Sequence, residues 1–178
     1  MLAAAGRPAA LLAVVKADGY GHGATQVARA TLDAGATWLG VALVEEGITL
    51  RSDGIDAPIL VLSEPPPAAA AAVVAHGLTP TVYTVPGIEA LAKAVADAGS
   101  SAALPVHLKI DTGMHRVGSA LDDAPGLVEL IVGRPELELE GVCTHFAVAD
   151  EPDHAYTGDQ IARFDAFLAT LDAAGTRP

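Results

Sequence analysis

Three short runs in this sequence hold the side chains that could do chemistry. Residues 14–23, VVKADGYGHG, end an apolar run on Lys16 and then break into a glycine-rich loop with Tyr20 and His22. Residues 107–118, HLKIDTGMHRVG, carry Lys109, Asp111 and Arg116, and residues 141–150, GVCTHFAVAD, carry His145. A lysine delivered to the end of a buried strand loses water, which disfavours its charged form and makes the amine a candidate nucleophile near neutral pH. Lysine is scarce here: Lys16, Lys93 and Lys109 are the only three, so the residue is not serving as general solubilising charge. The plainer alternative is that Lys16 only marks where a strand meets solvent.

A buried amine suggests Schiff-base chemistry. A guanidinium and a stackable imidazole nearby suggest a flat, anionic, aromatic ligand, and pyridoxal 5′-phosphate is such a ligand with chemistry that requires a lysine. Each group also has a structural alternative. GYGHG lacks the Gly-Lys-Ser/Thr of a phosphate-binding P-loop, Lys109 and Asp111 read equally as an ion pair, Arg116 as a surface loop residue, and His145 as a core histidine. No His/Cys/Asp grouping has metal-ligand spacing, and no Ser–His–Asp set is evident.

The elements that must position these groups follow from hydrophobic pattern. Apolar runs over residues 11–16, 38–43 and 58–62 read as strands buried on both faces, and residues 79–83 as a short fourth strand. Residues 106–111, VHLKID, alternate, placing Val106, Leu108 and Ile110 on one face and His107, Lys109 and Asp111 on the other. A sixth strand covers 141–146. Between them, helical spacing and punctuation by Gly35, Asp53-Gly54, Gly77, Gly99 and Gly133 mark five helices. Glu45 and Glu46 fall in the first turn of the second, where acids suit the dipole. A sixth helix follows, with Thr157 and Gln160 as a capping box and Ile161, Phe164, Phe167, Leu168 and Leu171 on one face.

Six strands each followed by a helix make an α/β chain with a parallel sheet. The polar face of the fifth strand favours a closed (β/α)8 TIM barrel, about six units of which are present, over an open doubly wound sheet, because a barrel mouth can hold such groups around a ligand. In either architecture Lys16, Tyr20, Lys109, Asp111, Arg116 and His145 gather at the C-terminal ends of the strands.

Bulk properties narrow the partners. The 178 residues carry a net charge of −12, which argues against nucleic acid and against an anionic membrane surface. No run approaches the roughly 18 apolar residues of a spanning helix, and residues 1–5 are too short for a signal peptide. A single cysteine, Cys143, excludes an internal disulfide and fits a reducing compartment. A cytoplasmic protein is expected.

Taken together, the three runs closely resemble, in order and separation, the signatures of the alanine racemases, and WLGVALVEEG at 38–47 resembles the same family. The resemblance implies residues 1–178 as an incomplete N-terminal pyridoxal-phosphate-binding barrel domain, a β-rich C-terminal domain not contained in this chain, and a homodimer. It implies interconversion of L- and D-alanine for cell-wall precursor supply. Lys16 then matches the lysine that condenses with the cofactor and serves as a base on one face of the substrate. Tyr20 matches a cofactor-phosphate ligand, and Arg116 the arginine near the cofactor's phenolic oxygen and the substrate carboxylate. Lys109 matches a lysine often carbamylated to hold that arginine, with Asp111 supporting, and His145 matches the histidine beside the pyridine ring. With one of two opposed bases present, the chain alone is expected to lack appreciable racemase activity. The rivals are a non-catalytic pyridoxal-phosphate carrier of the same fold and a decarboxylase or lyase on the same barrel.

Overall fold

The computed structural model describes residues 9–151 and 153–178; residues 1–5, read above for a signal peptide, lie outside them. Among the described residues six strands form one parallel sheet in the order β1-β2-β3-β4-β5-β6: β1 Leu12–Val14, β2 Trp38–Val41, β3 Ile59–Val61, β4 Thr79–Val82, β5 Leu104–Lys109 and β6 Leu137–Cys143. The helices between and after them are α1 Ala24–Asp33, α2 Val44–Ser52, α3 Ala70–Ala75 behind a short 3₁₀ turn at Pro67–Ala69, α4 Val85–Asp97, α5 Ala124–Val132 and α6 Tyr156–Ala174.

Strand order that follows chain order is the mark of a singly wound sheet, which curls, whereas a doubly wound sheet reverses at a switch point. The curl is visible in contacts between strands that are not neighbours. Trp38 on β2 meets His107 on β5 with ring centroids 5.6 Å apart, and Lys109 on β5 donates to the carbonyl of Leu62, just past β3, at 3.4 Å. A six-stranded arc of a (β/α) barrel results. Its outer layer is a core of Leu39, Val41, Ile59, Val61, Val82, Val106, Leu108 and Ile110 packed with Leu50, Val73, Ile88, Val95 and Ile131 from the helices, each fully buried aliphatic contributing about 1.5–3 kcal/mol.

Two strand readings change. β1 is not buried on both faces: Leu12 and Ala13 are half-buried and Val14 is 37% exposed, because β1 pairs with β2 alone and sits at an edge of the arc. β6 begins at Leu137 and ends at Cys143, earlier than the apolar run suggests, since Glu138 and Glu140 alternate with Leu137 and Leu139 as half-buried strands do. Below the sheet, at the end away from the lysine, Arg51 joins two turns by donating to the carbonyls of Ile55, Ala57, His76 and Gly77.

Candidate functional site

β1 reaches the mouth of the arc through Lys16. The N–H of buried Val15 still bonds Gly40 of β2 at 2.8 Å, so Lys16 is the first residue past the ladder. Ala17, Asp18, Gly19 and Tyr20 then take φ of 52°, 53°, 60° and 56°, a single turn of left-handed helix. Steric conflict between Cβ and carbonyl makes this conformation costly for L-residues, and nothing in a Gly-rich loop foretells it. Gly19 N–H to Val15 at 3.0 Å and Gly23 N–H to Asp18 at 2.8 Å close the turn. The Asp18 carboxylate then accepts from Ala24 N–H at 2.8 Å, at the start of α1. Gly19 is required for space as well, since a Cβ there would lie 3.0 Å from Val27.

The loop after β5 is built from Asp111. Its carboxylate accepts from the N–H of Gly113 at 2.9 Å and of His115 at 3.0 Å, and the His115 ring lies 3.2 Å away. Asp111 N–H bonds Ser119 at 2.8 Å and Ser119 N–H returns to Lys109 at 2.9 Å, so the loop is pinched shut at its base with Arg116 at its exposed tip. Lys109 and Asp111 are therefore not an ion pair. Three side chains of α6 hold the same loop from outside. Tyr156 donates to Gly113 O at 2.9 Å, Arg163 to Thr112 O at 2.8 Å and Gln160 to Thr112 Oγ1 at 3.1 Å.

Gln160 corrects the sequence reading. It is fully buried and does not form a capping box with Thr157. Its amide instead bonds Thr112, the carbonyl of His145 at 3.0 Å and the N–H of Ala147 at 2.8 Å, tying the loops after β5 and β6 together. Ile161 lies outside the packed face and is exposed, whereas Phe167 and Leu171 are buried.

Lys16, Lys109, Arg116 and His145 share one electrostatic environment. Burial pushes the amine of Lys109, a residue only 8% exposed, below the usual lysine range; nearby Cys143 opposes this, and Arg116 and Lys16 push it further down. Burial likewise lowers His145, helped by Arg116, Lys109 and Lys16. Burial would raise the Asp111 carboxyl, but the N–H groups of His115 and Gly113 and the His115 ring outweigh it and hold the group below the usual carboxylate range. None of the ion pairs among the described residues engages Lys16, Lys109 or Arg116. The rim acids are spent on backbone instead: Glu64 takes the N–H of Tyr83 and Thr84 at 2.6 and 2.8 Å, and Glu46 takes three such donors. A mouth with clustered bases and committed acids favours a bound anion.

The six sequence-derived residues thus divide. Lys16, Lys109, Arg116 and His145 converge, Asp111 shapes the loop that carries Arg116, and Tyr20 stands 62% exposed on the left-handed turn. Arg116 also lines a cleft of about 770 Å³ with Tyr83, Thr84, Gly118 and Ser119. Glu46 and Gln160 were visible in the sequence only as helix-start residues. Among the described residues no cluster of three His, Cys, Asp or Glu side chains could hold a metal, and no helix is long and apolar enough to cross a membrane.

The family described as alanine racemase, N-terminal domain, matches residues 1–178. The alanine racemase of Symbiobacterium thermophilum is 49% identical over 168 residues, covering 94% of this chain and 44% of the relative. That of Desulfovibrio desulfuricans is 42% identical over 164 residues, 92% of this chain and 44% of the relative. Among solved structures, alanine racemase of Clostridium difficile 630 superposes with a TM-score of 0.88 at 35% identity, over 94% of this chain and 44% of that one. The enzyme of Streptomyces coelicolor superposes with a TM-score of 0.87 at 37% identity, over 96% of this chain and 46% of that one. The chain spans less than half the length of these relatives.

Proposed function

The chain belongs to the alanine racemase N-terminal domain family, and from that premise we propose that it is the cofactor-binding part of a pyridoxal-phosphate-dependent racemase acting on alanine. The observation that carries this reading is half-buried Lys16, standing just before a left-handed turn and within electrostatic reach of Lys109 and His145, which Arg116 also influences. That donor set fits pyridoxal 5′-phosphate, which carries an aldehyde for an amine and a phosphate and phenolic oxygen for cations. When bound, the cofactor withdraws electrons from the substrate and acidifies its α-proton.

The chain's own residues supply the rest. Lys16 would be the amine that holds the cofactor and would move the proton on one face of the substrate. Tyr20 would bind the phosphate, Arg116 would neutralise the phenolic oxygen and the substrate carboxylate, and His145, held below its ordinary value by burial and its basic neighbours, would lie beside the ring. Lys109, with an amine pushed toward its neutral form, is open to carbamylation, and the resulting negative charge would hold Arg116. We place the protein in the cytoplasm, where a lone free Cys143 is at home, and assign the whole enzyme a homodimer and the supply of D-alanine to cell-wall precursors. Exposed apolar side chains on the mouth rim, Tyr20, Leu43, Val85 and Phe146, support a covering partner. We propose residues 1–178 as the N-terminal barrel portion of an enzyme that a β-rich domain would complete.

The test is to add pyridoxal 5′-phosphate, reduce with borohydride and map the label by mass spectrometry. With three lysines and the terminal amine as the primary amines of the chain, peptide mapping separates every candidate. Lys16 is expected to carry the label and Lys16→Ala to abolish it; label on Lys93 or Lys109 instead, or none, overturns the reading.

A further inference from the structure

The geometry points to Glu46 as the positioning residue of Lys16. Lys16 is flanked by two hydrogen bonds, one to β2 and one to the first turn of α2. On its incoming side Val15 N–H bonds Gly40 O at 2.8 Å, an ordinary ladder contact. On its outgoing side Ala17, already at φ 52°, has left the ladder. Its N–H bonds Glu46 Oε1 at 2.6 Å.

Glu46 does more than its place in α2 requires. As third residue of that helix after Leu43, it reaches back to Leu43 N–H at 3.0 Å, the usual use of a glutamate there. The same oxygen, Oε2, takes Ala42 N–H at 2.8 Å, leaving Oε1 for a residue 29 positions earlier in the turn beyond β1. One half-buried carboxylate thus fastens the turn after Lys16 to the end of the neighbouring strand. Removing it frees the backbone immediately beyond the amine, and the turn, disfavoured for Ala17, Asp18 and Tyr20, loses a contact that holds it. The hydrogen bonds of the Glu46 carboxylate go to backbone N–H groups and not to the Lys16 amine, so its effect on chemistry runs through where Lys16 stands.

This assignment rests on the proposed role of Lys16. It is tested by titrating the 178-residue chain with pyridoxal 5′-phosphate, fixing with borohydride and quantifying label at Lys16, alongside amide exchange at Ala17. Glu46→Gln, which cannot accept at both oxygens, is expected to weaken capture at Lys16 on the order of tenfold, the loss of one charge-assisted hydrogen bond. It is also expected to speed exchange at Ala17 while leaving β5 amides protected. Glu46→Asp keeps the charge but falls one methylene short, and gives the same loss. Glu64→Gln removes an equivalent set of backbone contacts from the β4 loop and leaves labelling of Lys16 at the wild-type level. Wild-type capture in the Glu46 variants, or an equal loss in Glu64→Gln, overturns the assignment while the cofactor reading stands. A wild-type chain unlabelled at Lys16 overturns that reading and this proposal with it.

Discussion

The loops after β1 and β5 both carry basic groups to the mouth, and they are stiffened by opposite means. The first is short and strained: three of its four left-handed residues are not glycine, at a cost of roughly 1–2 kcal/mol each, and besides its own local bonds it is held from outside by one carboxylate, Glu46 of α2. The second is long and relaxed. Asp111 organises it from within, the Ser119 pairing closes its base, and Tyr156, Gln160 and Arg163 brace it from α6. Strain with one clamp gives the backbone at Lys16 a single position, which suits a group that must meet a ligand atom at bonding distance. Bracing at the base with an exposed tip leaves the Arg116 guanidinium room to follow a charge.

The comparison breaks most readily at Gly118. A Cβ there would lie 2.9 Å from the Asp111 nitrogen and 3.0 Å from the Ile110 carbonyl carbon, at φ 125°. Neither neighbour is a flexible side chain, so Gly118→Ala is expected to lower stability by about 3 kcal/mol in urea unfolding. An unchanged midpoint would show that the base of this loop is not pinched shut. Next in size is Gln160→Leu, which leaves the Ala147 N–H and the His145 carbonyl without their partner; about 2 kcal/mol should be lost. Amide exchange should quicken after β5 and β6 and stay slow at residues 16–21. If the first loop loosens equally, the two are not independently held.

Much of this arrangement was legible in sequence. Unbroken apolar runs gave the strands, and Lys16 at the end of one of them marked the mouth. What could not be read were features set by contacts far along the chain. Ala17, Asp18 and Tyr20 carry no local signal for positive φ, and the turn exists because β2 and Glu46 hold it. Glu46 looks like a dipole-compensating residue and Gln160 like half of a capping box, because sequence shows only the helix each begins. The alternation of Leu137–Cys143 was hidden by its glutamates, one of which, Glu140, pairs with His107 at 3.1 Å.

The smaller tests sharpen the contrast. Ala17→Gly removes the left-handed penalty but adds unfolded-state freedom, so stability should hold or rise by up to about 1 kcal/mol, whereas Ala13→Gly inside β1 should lower it. A clear loss at Ala17 in thermal melts would mean that the turn is not strained. The last test is electrostatic. His145 is lowered in the folded chain, so below its ordinary value of about 6.5 the unfolded chain binds more protons, and stability falls with pH from there until the folded value is passed. The ring is exposed, so the effect should stay below about 1 kcal/mol; it should vanish in His145→Gln and shrink when an anion occupies the mouth. A slope of opposite sign would mean that His145 is not among these bases.

The chain has one tryptophan, and it is the ring that faces His107 inside the arc. Burial holds the His107 imidazole below its normal value despite Glu140, so the ring beside the indole takes up its proton at a lower pH than a free imidazole does. A protonated imidazole quenches indole light far better than a neutral one. The molecule therefore carries its own lamp: intrinsic emission will report on the interior of the curved sheet, and its dimming will date the moment a proton enters there.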